Sequence, residues 1–437
     1  METWVIGVFG ILLLLVLIAF RVHVAFSLAS VGLAGYFVIM GWKPTEGLLG
    51  LVPYSFIASF ILTTVPLFLL MGYLAHHAGM TRNVYETARL WLSRLPGGMA
   101  IASVAGCAVF AAACGSSLAT AALMGRIAIP EMLRYKYDRG LAAGCVAAAG
   151  TIGSLIPPSI LLVLYGVMTE TSIGPLLIAG FIPGVLSALI YMGMIWIRAS
   201  RNRDLGPMAK EAISWRQRLV SLKGTWGVPF LFILVIGGIY LGLFTPTEAG
   251  GIGAFGAFII ALFTRKLNLA NFKESLSDTV RSTSQIFAIA LGAAIFTKFM
   301  AVSDLPGMIC ESITSANIPP ISVVIGLSFV YIFLGMFLDP IGVMLLTLPV
   351  VFPVMEGLGF NLIWFGVIMI KYLEIGLITP PVGLNVYVIK GVVGPSIPLE
   401  DIFRGIGWFL AMDVLTLAIL IALPQIALFL PNTMMGL

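Results

Sequence analysis

The stretch Cys114-Gly115-Ser116-Ser117-Leu118-Ala119-Thr120 interrupts an apolar segment that runs from about residue 96 to residue 132. Glycine and serine in the middle of such a segment break the pattern of a continuous membrane helix. Non-helical backbone at membrane depth is tolerated only where it is buried in protein or faces a water-filled cavity. A second break, Gly335-Met336-Phe337-Leu338-Asp339-Pro340, occurs in a later apolar segment. We therefore predict that the two breaks form a binding site inside a membrane protein.

The composition places the chain in the membrane. Of its 437 residues, 60% are hydrophobic and only 10% are charged, whereas soluble domains carry about 25% charged residues. Many apolar runs approach the ~20 residues that a helix needs to cross a bilayer. The sequence predicts an all-α polytopic membrane protein. Because its basic residues lie mostly in loops, the net charge of +5 reflects membrane orientation and indicates no affinity for nucleic acid.

The apolar runs predict an equal number of spans in each half of the chain. They lie at residues 4–20, 24–42, 97–133, 139–166 and 175–197, and then at 226–243, 248–264, 319–356, 361–391 and 404–430. Two other apolar segments, 53–78 and 283–300, are interrupted, and we predict a re-entrant helical hairpin at each. One ordinary tilted helix at each position is the alternative. The stretches 81–95 and 303–317 are predicted to lie along the membrane interface.

Lysine and arginine predict the orientation of the spans. The connection between the halves is the richest in these residues: Arg198, Arg201, Arg203, Lys210, Arg216, Arg218 and Lys223. The positive-inside rule makes this face cytoplasmic and puts both termini outside. This arrangement leaves three basic residues on the outer face, which the rule does not favour: Arg82, Arg89 and Arg94.

The second half of the chain repeats the pattern of the first. Four prolines recur with one constant spacing between the copies: Pro96, Pro130, Pro157 and Pro158 as Pro319, Pro353, Pro380 and Pro381. An odd number of crossings in each half makes the second copy inverted relative to the first, and inverted repeats permit alternating access. We predict a first repeat at 1–200, a cytoplasmic connection at 201–225 and a second repeat at 226–437.

Each half also contains a second break, which ends in paired prolines at 151–158 and at 374–381. Proline removes a backbone donor and frees carbonyl oxygens in the preceding turn. Freed carbonyls and hydroxyls suit a hard monovalent cation such as sodium, whereas helix N-termini suit an anionic substrate. Sodium ions are the only cofactor-like groups that we expect.

The breaks supply the candidate site residues. The predicted sodium ligands are Gly115, Ser116, Ser117, Thr151, Gly335, Asp339 and Thr379. The predicted substrate contacts are Ser117, Thr120, Arg126, Ser154, Thr379 and Asn385. The alternative for each hydroxyl is a hydrogen bond to the helix carbonyl one turn back. For Arg126, the alternative is an ion pair with Glu131.

Ionisable residues inside a membrane are functional candidates by default. Asp339 is the first of them because it stands beside a proline at a break. Lys298, Lys371 and Glu374 are either internal or reach an interface along their alkyl stems. Catalytic motifs are absent from the sequence, which contains no P-loop, HExxH or GxSxG pattern, so we do not expect an enzyme.

The two breaks and their flanks resemble one family, the large (DctM-like) membrane subunit of tripartite ATP-independent periplasmic (TRAP) transporters. The similarity runs nearly end to end. It is carried by residues 114–122 and 125–132, by Thr151-Ile152-Gly153 with Ile156-Pro157-Pro158-Ser159, by residues 335–340, and by Gly376-Leu377-Ile378-Thr379-Pro380-Pro381-Val382-Gly383-Leu384-Asn385.

The resemblance implies a multi-pass protein of the bacterial inner membrane with an elevator mechanism. A transport domain formed by about 53–166 and 281–391 moves against a scaffold of the remaining spans. The implied activity is sodium-driven uptake of an organic acid, such as a C4-dicarboxylate or sialic acid. The implied partners are a periplasmic solute-binding protein and a separate small four-helix membrane subunit. A self-sufficient sodium–dicarboxylate carrier and a passive channel are the alternatives.

Overall fold

The computed structural model describes residues 2–208 and 213–435. These residues are almost entirely helical and include no β-strand. The predicted all-α architecture is therefore confirmed. Lys210 of the predicted connection lies outside the described residues, as do the terminal residues Met1, Gly436 and Leu437.

The first half contains α-helices of 7 to 21 residues. The α-helices are α1 Thr3–Ala19, α2 Val24–Met40, α3 Trp42–Ile57, α4 Thr64–His77, α5 Met80–Leu92, α6 Gly98–Cys114, α7 Ser117–Arg134, α8 Arg139–Thr151, α9 Ile160–Thr169, α10 Ile173–Ala179 and α11 Phe181–Arg201. Short 3₁₀ helices occur at Phe60–Thr63 and Ile152–Ser154.

The second half also consists mainly of helices. Its α-helices are α12 Trp215–Thr225, α13 Gly227–Phe232, α14 Gly238–Tyr240, α15 Pro246–Phe263, α16 Leu269–Ser303, α17 Leu305–Ser315, α18 Pro320–Gly335, α19 Pro340–Gly357, α20 Leu362–Ile378, α21 Leu384–Val393, α22 Leu399–Ala422 and α23 Gln425–Met435. A π-helical turn joins α13 to α14 at Ile233–Gly237, and a 3₁₀ helix follows α21 at Gly394–Ser396.

Several of these helices are long and apolar enough to cross a bilayer. Among the described residues, six satisfy both criteria, or seven if the bent pair Trp215–Thr225 and Gly227–Tyr240 counts as one span. Other apolar helices are shorter, because the chain breaks several of the predicted spans into two pieces. The described part of the chain is thus a polytopic membrane protein with interrupted helices.

The segment predicted as one broken span at 97–133 is instead a helical hairpin. Helices α6 and α7 run antiparallel, because the Met99 N–H donates to the Tyr137 hydroxyl at 3.1 Å and the Ser103 hydroxyl lies 3.9 Å from the Met132 sulfur. The chain reverses at Gly115, which has a φ of 65°. A straight helix of this length would measure about 55 Å, far more than the ~30 Å hydrocarbon core, so folding back keeps the segment within the membrane.

The segment predicted as one broken span at 319–356 forms a second hairpin. The Thr347 hydroxyl donates to the Tyr331 hydroxyl at 2.6 Å, which aligns α19 antiparallel to α18. Helices α7 and α19 begin at Ser117 and Pro340 and end at Arg134 and Gly357, so both pairs of ends keep the spacing of the repeated prolines.

The hairpins predicted at 53–78 and 283–300 are wrong. Residues 283–300 lie within α16, which is continuous, as the alternative of one ordinary helix required. A methyl group on Gly292 would lie 2.4 Å from the Ala25 carbonyl oxygen, so this glycine allows α2 to approach closely and does not break the helix. In 53–78 the break falls at Ala58 and Ser59, and α3 and α4 do not pack along each other.

The stretch predicted on the outer face at 81–95 lies beside the basic connection. Helix α5 packs antiparallel to α12, since the Asn83 amide donates to the Gly224 carbonyl at 2.9 Å and the Trp91 indole donates to the Arg218 carbonyl at 3.3 Å. The outward placement of Arg82, Arg89 and Arg94 is therefore wrong. These residues add to the basic face and remove the conflict with the positive-inside rule.

Both ends of the first hairpin meet that same connection. The Gly97 N–H donates to the Gly206 carbonyl at 3.0 Å, and the Asp138 N–H donates to the Leu205 carbonyl at 3.1 Å. Because its two ends share one face, the hairpin enters and leaves from the basic side. Its turn at Gly115 therefore points into the body of the protein.

Helices α8 and α22 make the closest backbone contact of this part of the fold. A methyl group on Gly405 would lie 1.9 Å from the Gly140 carbonyl oxygen, and one on Gly144 would lie 2.7 Å from the Gly405 carbonyl carbon. Small residues let membrane helices approach until backbone atoms touch, which strengthens their packing. The two helices therefore depend on these glycines for their position.

We expect Gly405→Ala to lower the free energy of unfolding by about 1–3 kcal/mol, the usual cost of overpacking. Gly407→Ala is the matched control, since Gly407 lies on the same helix with no atom within 4 Å of its added methyl group. Thermal unfolding in detergent measures both variants. Equal melting temperatures for the two variants would contradict the packing described here.

Candidate functional site

A cavity of about 380 Å³ lies where the two hairpin turns meet. The first hairpin contributes Gly115, Ser116 and Ser117 to its wall, and the second contributes Asp339. Ser154 completes this group from the turn that follows α8. The structure thus brings together five of the predicted site residues, although they come from three separate parts of the sequence.

The first hairpin turn rests on the loop between α8 and α9. The Gly115 carbonyl accepts a hydrogen bond from the Ile160 N–H at 3.4 Å. A methyl group on Gly115 would lie 2.3 Å from the Pro158 carbonyl oxygen, and the φ of 65° is a left-handed value that favours glycine. Only glycine fits this position without displacing the loop.

The second hairpin turn rests on the corresponding loop of its own half. The Gly383 N–H donates to the Met336 carbonyl at 3.4 Å. The two donors, Ile160 and Gly383, are separated by the same spacing as the repeated prolines. Nearby, a methyl group on Gly335 would lie 2.9 Å from the Gly376 Cα, so Gly335 is a close-packing position behind the cavity and is not part of its lining.

Ser117 stands at the centre of a buried group of oxygen atoms. Its hydroxyl donates to the Thr151 carbonyl at 3.4 Å and also bonds to the Ser154 hydroxyl. The Ser159 hydroxyl donates in turn to the Ser154 carbonyl. Hard cations prefer oxygen ligands of this kind. The arrangement can therefore hold a small monovalent cation in place of some of these hydrogen bonds.

Asp339 both caps α19 and lines the cavity. One carboxylate oxygen caps α19 by accepting from the Gly342 N–H at 2.9 Å. The same half-buried carboxylate lines the cavity and brings a negative charge to it. Its capping contact stabilises the helix N-terminus, and its charge is available to a cation.

Two predicted substrate residues are buried with an unpaired oxygen. The Thr120 hydroxyl and the Asn385 amide oxygen have no hydrogen-bond partner within the described residues. The Asn385 amide nitrogen donates to the Ala147 carbonyl at 3.0 Å and so ties α21 to α8. Neither side chain lines the cavity, and the two lie behind its wall.

The hydroxyls of two predicted sodium ligands bond to carbonyls of their own helices, which is the alternative interpretation given above. The Thr151 hydroxyl donates to the Ala148 carbonyl at 2.7 Å, and the Thr379 hydroxyl donates to the Ile375 carbonyl at 2.6 Å. Both bonds reach back along the residue's own helix. The Thr151 carbonyl nevertheless takes part in the oxygen group through Ser117.

Arg126 is exposed and does not line the cavity. The alternative pairing with Glu131 is not observed within the described residues. The Glu131 carboxylate instead faces Arg89 at 3.8 Å and Arg134 at 4.0 Å. Arg126 is therefore separate from the residues that the cavity brings together.

The sequence did not single out the opposite wall of the cavity. Tyr73 of α4 and Ser282 and Gln285 of α16 line it, together with His23 before α2. The Tyr73 and Ser282 hydroxyls are hydrogen-bonded at 2.8 Å. The polar residues Ser282 and Gln285 stand at the edge of the apolar run of α16 and are the sequence feature that indicates this wall. The prediction of a hairpin at 283–300 hides this feature, because it does not place the two residues on one helix.

We expect Gly115→Ala to destabilise the protein more than Gly359→Ala. Both glycines have a positive φ, but a methyl group on Gly359 meets no atom within 4 Å, whereas one on Gly115 meets the Pro158 carbonyl. Left-handed strain alone costs about 1–2 kcal/mol. The free energy of unfolding should therefore fall by about that amount in the control and by clearly more in Gly115→Ala. Thermal unfolding measures the stability of both variants. An equal loss of stability in the two would mean that the first hairpin turn does not rest on the loop between α8 and α9.

Comparison with known proteins matches nearly the whole chain to one family. The sequence profile described as "Tripartite ATP-independent periplasmic transporter, DctM component" matches residues 11–426.

Characterised relatives share about a third of their residues with this chain. The C4-dicarboxylate TRAP transporter large permease protein DctM of Pseudomonas aeruginosa is 37% identical, over 92% of this chain and 94% of that protein. The sialic acid TRAP transporter large permease protein SiaM of Vibrio cholerae is 32% identical, over 87% of this chain and 88% of that protein. The isethionate TRAP transporter permease protein DctMQ of Oleidesulfovibrio alaskensis is 31% identical, over 86% of this chain but only 59% of that longer protein.

Solved structures share the fold at low sequence identity. The YdaH transporter of Alcanivorax borkumensis superimposes with a TM-score of 0.61 at 15% identity, covering 88% of this chain and 89% of that one. MtrF of Neisseria gonorrhoeae gives a TM-score of 0.63 at 13% identity, covering 90% of this chain and 85% of that one. At these identities the likeness concerns the fold alone.

Proposed function

The chain belongs to the DctM family of tripartite ATP-independent periplasmic transporters, and on this premise we propose that it takes up an organic acid by coupling to a sodium gradient. It is a large permease subunit of the inner membrane and not an enzyme. The substrates named for its relatives are C4-dicarboxylates, sialic acid and isethionate. All three are organic acids, so we place the substrate of this chain in that class.

One observation carries the proposal: the oxygen-rich cavity between the two hairpin turns. Ser117, Ser154 and the Thr151 carbonyl supply neutral oxygens, and Asp339 supplies a negative charge. A sodium ion needs both oxygen ligands and charge compensation in a medium of low dielectric constant. We propose that sodium binds beside these groups and favours the approach of an anionic substrate to the same cavity.

The fold suits an elevator mechanism built on inverted repeats. The matching bounds of α7 and α19, and the two hairpin turns that rest on corresponding loops, support the repeat. Inverted repeats can exchange conformations, which moves a site from one side of the membrane to the other. We propose that the hairpins and the broken helices move together and carry the cavity.

We propose two changes to the predicted transport domain of 53–166 and 281–391: α11 and α22 join it, and the part of α16 within it, residues 281–303, leaves it. Helix α22 touches α8 through Gly405 and Gly140. Lys371 of α20 forms a buried ion pair with Asp413 of α22 and donates a hydrogen bond to Ser187 of α11. Separating such contacts during each cycle would expose backbone and charge to lipid. We propose that α11 and α22 travel with the transport domain, and that α1, α2, α15 and α16 belong to the scaffold.

We propose two protein partners, in line with the tripartite family. A periplasmic solute-binding protein delivers the organic acid, and a small four-helix membrane subunit attaches to the scaffold. The longer isethionate relative, of which this chain covers 59%, has room for a further segment in the same polypeptide.

We expect Asp339→Asn to reduce sodium-dependent uptake at least about tenfold, which corresponds to about 1.4 kcal/mol. Asparagine is as good a helix N-cap as aspartate, so this change removes the charge and keeps the cap. Asp339→Ala removes both, and it should lose about 1 kcal/mol of stability in addition. Uptake and thermal unfolding of the two variants separate the charge from the cap, and normal sodium dependence in Asp339→Asn would remove the carboxylate from the sodium site.

Uptake in proteoliposomes tests the proposed function as a whole. The vesicles contain this chain with its small subunit, an imposed sodium gradient and labelled organic acids, with and without the binding protein. We expect accumulation only when sodium and the binding protein are both present. Accumulation without the binding protein would favour a self-sufficient sodium–dicarboxylate carrier, and flux that ignores the sodium gradient would favour a channel.

A further inference from the structure

A group of ionisable side chains is buried outside the lining of the cavity. The Lys371 ammonium on α20 lies 2.6 Å from an Asp413 oxygen on α22 and 3.1 Å from a Glu374 oxygen on its own helix. It also donates to the Ser187 hydroxyl of α11 at 3.3 Å. All three charged residues have 0% of their surface exposed. We call Lys371, Glu374 and Asp413 the buried triad.

The charges of the triad do not balance when every group is ionised. One ammonium and two carboxylates leave a net charge of −1 in a region without solvent. An uncompensated buried charge costs several kcal/mol, whereas a neutral group with satisfied hydrogen bonds costs little. Binding one proton makes the triad neutral: the lysine keeps its charge, one carboxylate balances it, and the other becomes a carboxylic acid.

The oxygen atoms of the triad that have no hydrogen-bond partner also indicate that one carboxylate binds a proton. Within the described residues, one oxygen of Glu374, one oxygen of Asp413 and the Tyr191 hydroxyl of α11 are buried without a hydrogen-bond partner. The Tyr191 hydroxyl faces Asp413 on one side and Thr151 on the other. An ionised carboxylate only accepts hydrogen bonds, but a protonated one also donates. The Tyr191 hydroxyl can donate to only one of these two oxygens, so a proton on the carboxylate pair supplies the second donor.

In the described part of the chain, the helices packed against the triad bring it no further charge. Helix α11 presents Ser187 and Tyr191 to it, and the end of α8 approaches through Thr151. Within the described residues, the electrostatic partners of Lys371 and Glu374 are confined to the triad. The charge balance of the site is therefore set by the triad itself.

We propose that the buried triad is a proton-binding site, which holds one exchangeable proton shared by Glu374 and Asp413 at neutral pH. Two carboxylates that face one ammonium titrate as a unit, so the proton belongs to the pair and to neither residue alone. Tyr191 lies between Asp413 of the triad and Thr151, whose carbonyl accepts from Ser117 in the cavity wall. This proximity places the proton near the cavity; the link to uptake rests on the proposed function, whereas the proton site does not.

Infrared spectroscopy detects the proton directly. A protonated carboxylic acid shows a C=O stretch that ionised carboxylates lack, and exposed acids are ionised above about pH 6. The protein, purified with its small subunit, is titrated from about pH 6 to about pH 10. We expect one such band near neutral pH in the unmodified protein and its loss as the pH rises. A spectrum without a titrating band would overturn the proposal, and this arm needs no variant.

Neutralising variants assign the band. Glu374→Gln and Asp413→Asn each leave one ammonium and one carboxylate, so both triads are neutral without a proton and should fold. We expect the band to disappear in both variants and to persist in Glu400→Gln, a control at the exposed start of α22. Lys371→Met leaves two carboxylates without a cation, and its band should grow about twofold as both bind protons. A band unchanged in both neutralising variants would overturn the assignment.

Uptake tests the link to the cavity. We expect sodium-driven uptake by the unmodified transporter to change at least about threefold over the pH range in which the band titrates, and to be independent of pH in Glu374→Gln. An active Glu374→Gln transporter with an unchanged pH profile would disprove the link. Complete absence of sodium-driven uptake would count against the proposed function, and the infrared result would still decide the proton site.

Discussion

Backbone groups that leave a helix inside a bilayer need a partner, and the rest of this structure depends on how that need is met. In each hairpin turn, a backbone carbonyl accepts a hydrogen bond from the broken helix of the same half. The Gly115 carbonyl accepts from the Ile160 N–H, and the Met336 carbonyl accepts from the Gly383 N–H. Because water is absent from the hydrocarbon core, these bonds hold the turns in place and set the position of the cavity between them.

The same constraint explains how polarity is distributed around the cavity. The hydroxyls of Thr151 and Thr379 donate to carbonyls of their own helices, so they are satisfied without a partner from another element. Ser117 and Ser154 instead find each other across two elements, so their oxygens are concentrated at one point. Asp339 adds charge there without being a free carboxylate, because the N-terminus of α19 already binds one of its oxygens. In the proposed function, this arrangement is ready for a cation before any ion binds.

Charge is treated differently away from the cavity. Lys371, Glu374 and Asp413 are sealed among α11, α20 and α22, where ionic side chains can persist only in balanced groups. The close glycine contact of α8 with α22 lies in the same bundle of helices. Tight packing and buried ion pairing together hold these helices in one unit, as the proposed transport domain requires.

The amino-acid sequence by itself determined the all-α membrane class, the two breaks, the constant spacing of the recurring prolines and the family. These features depend on local composition and spacing, which can be read without knowing the partners of any residue. The positions of the hairpins were mistaken because an interrupted apolar run looks the same whether the chain continues across the membrane or folds back. Gly292 illustrates the limit: in the sequence it resembles a helix break, but its function is to admit the backbone of α2 at Ala25.

Only the tertiary structure decided which residues meet. It joined Ser117 to Ser154 and Asp339, and left Arg126 outside the cavity. It also brought Asp413 to Lys371 from 42 residues away and placed Tyr73 and Ser282 on the facing wall. The physical reason is that contacts between helices depend on their relative rotation and depth. Those are set by the summed packing of many side chains and by close glycine contacts, which no single stretch of sequence contains.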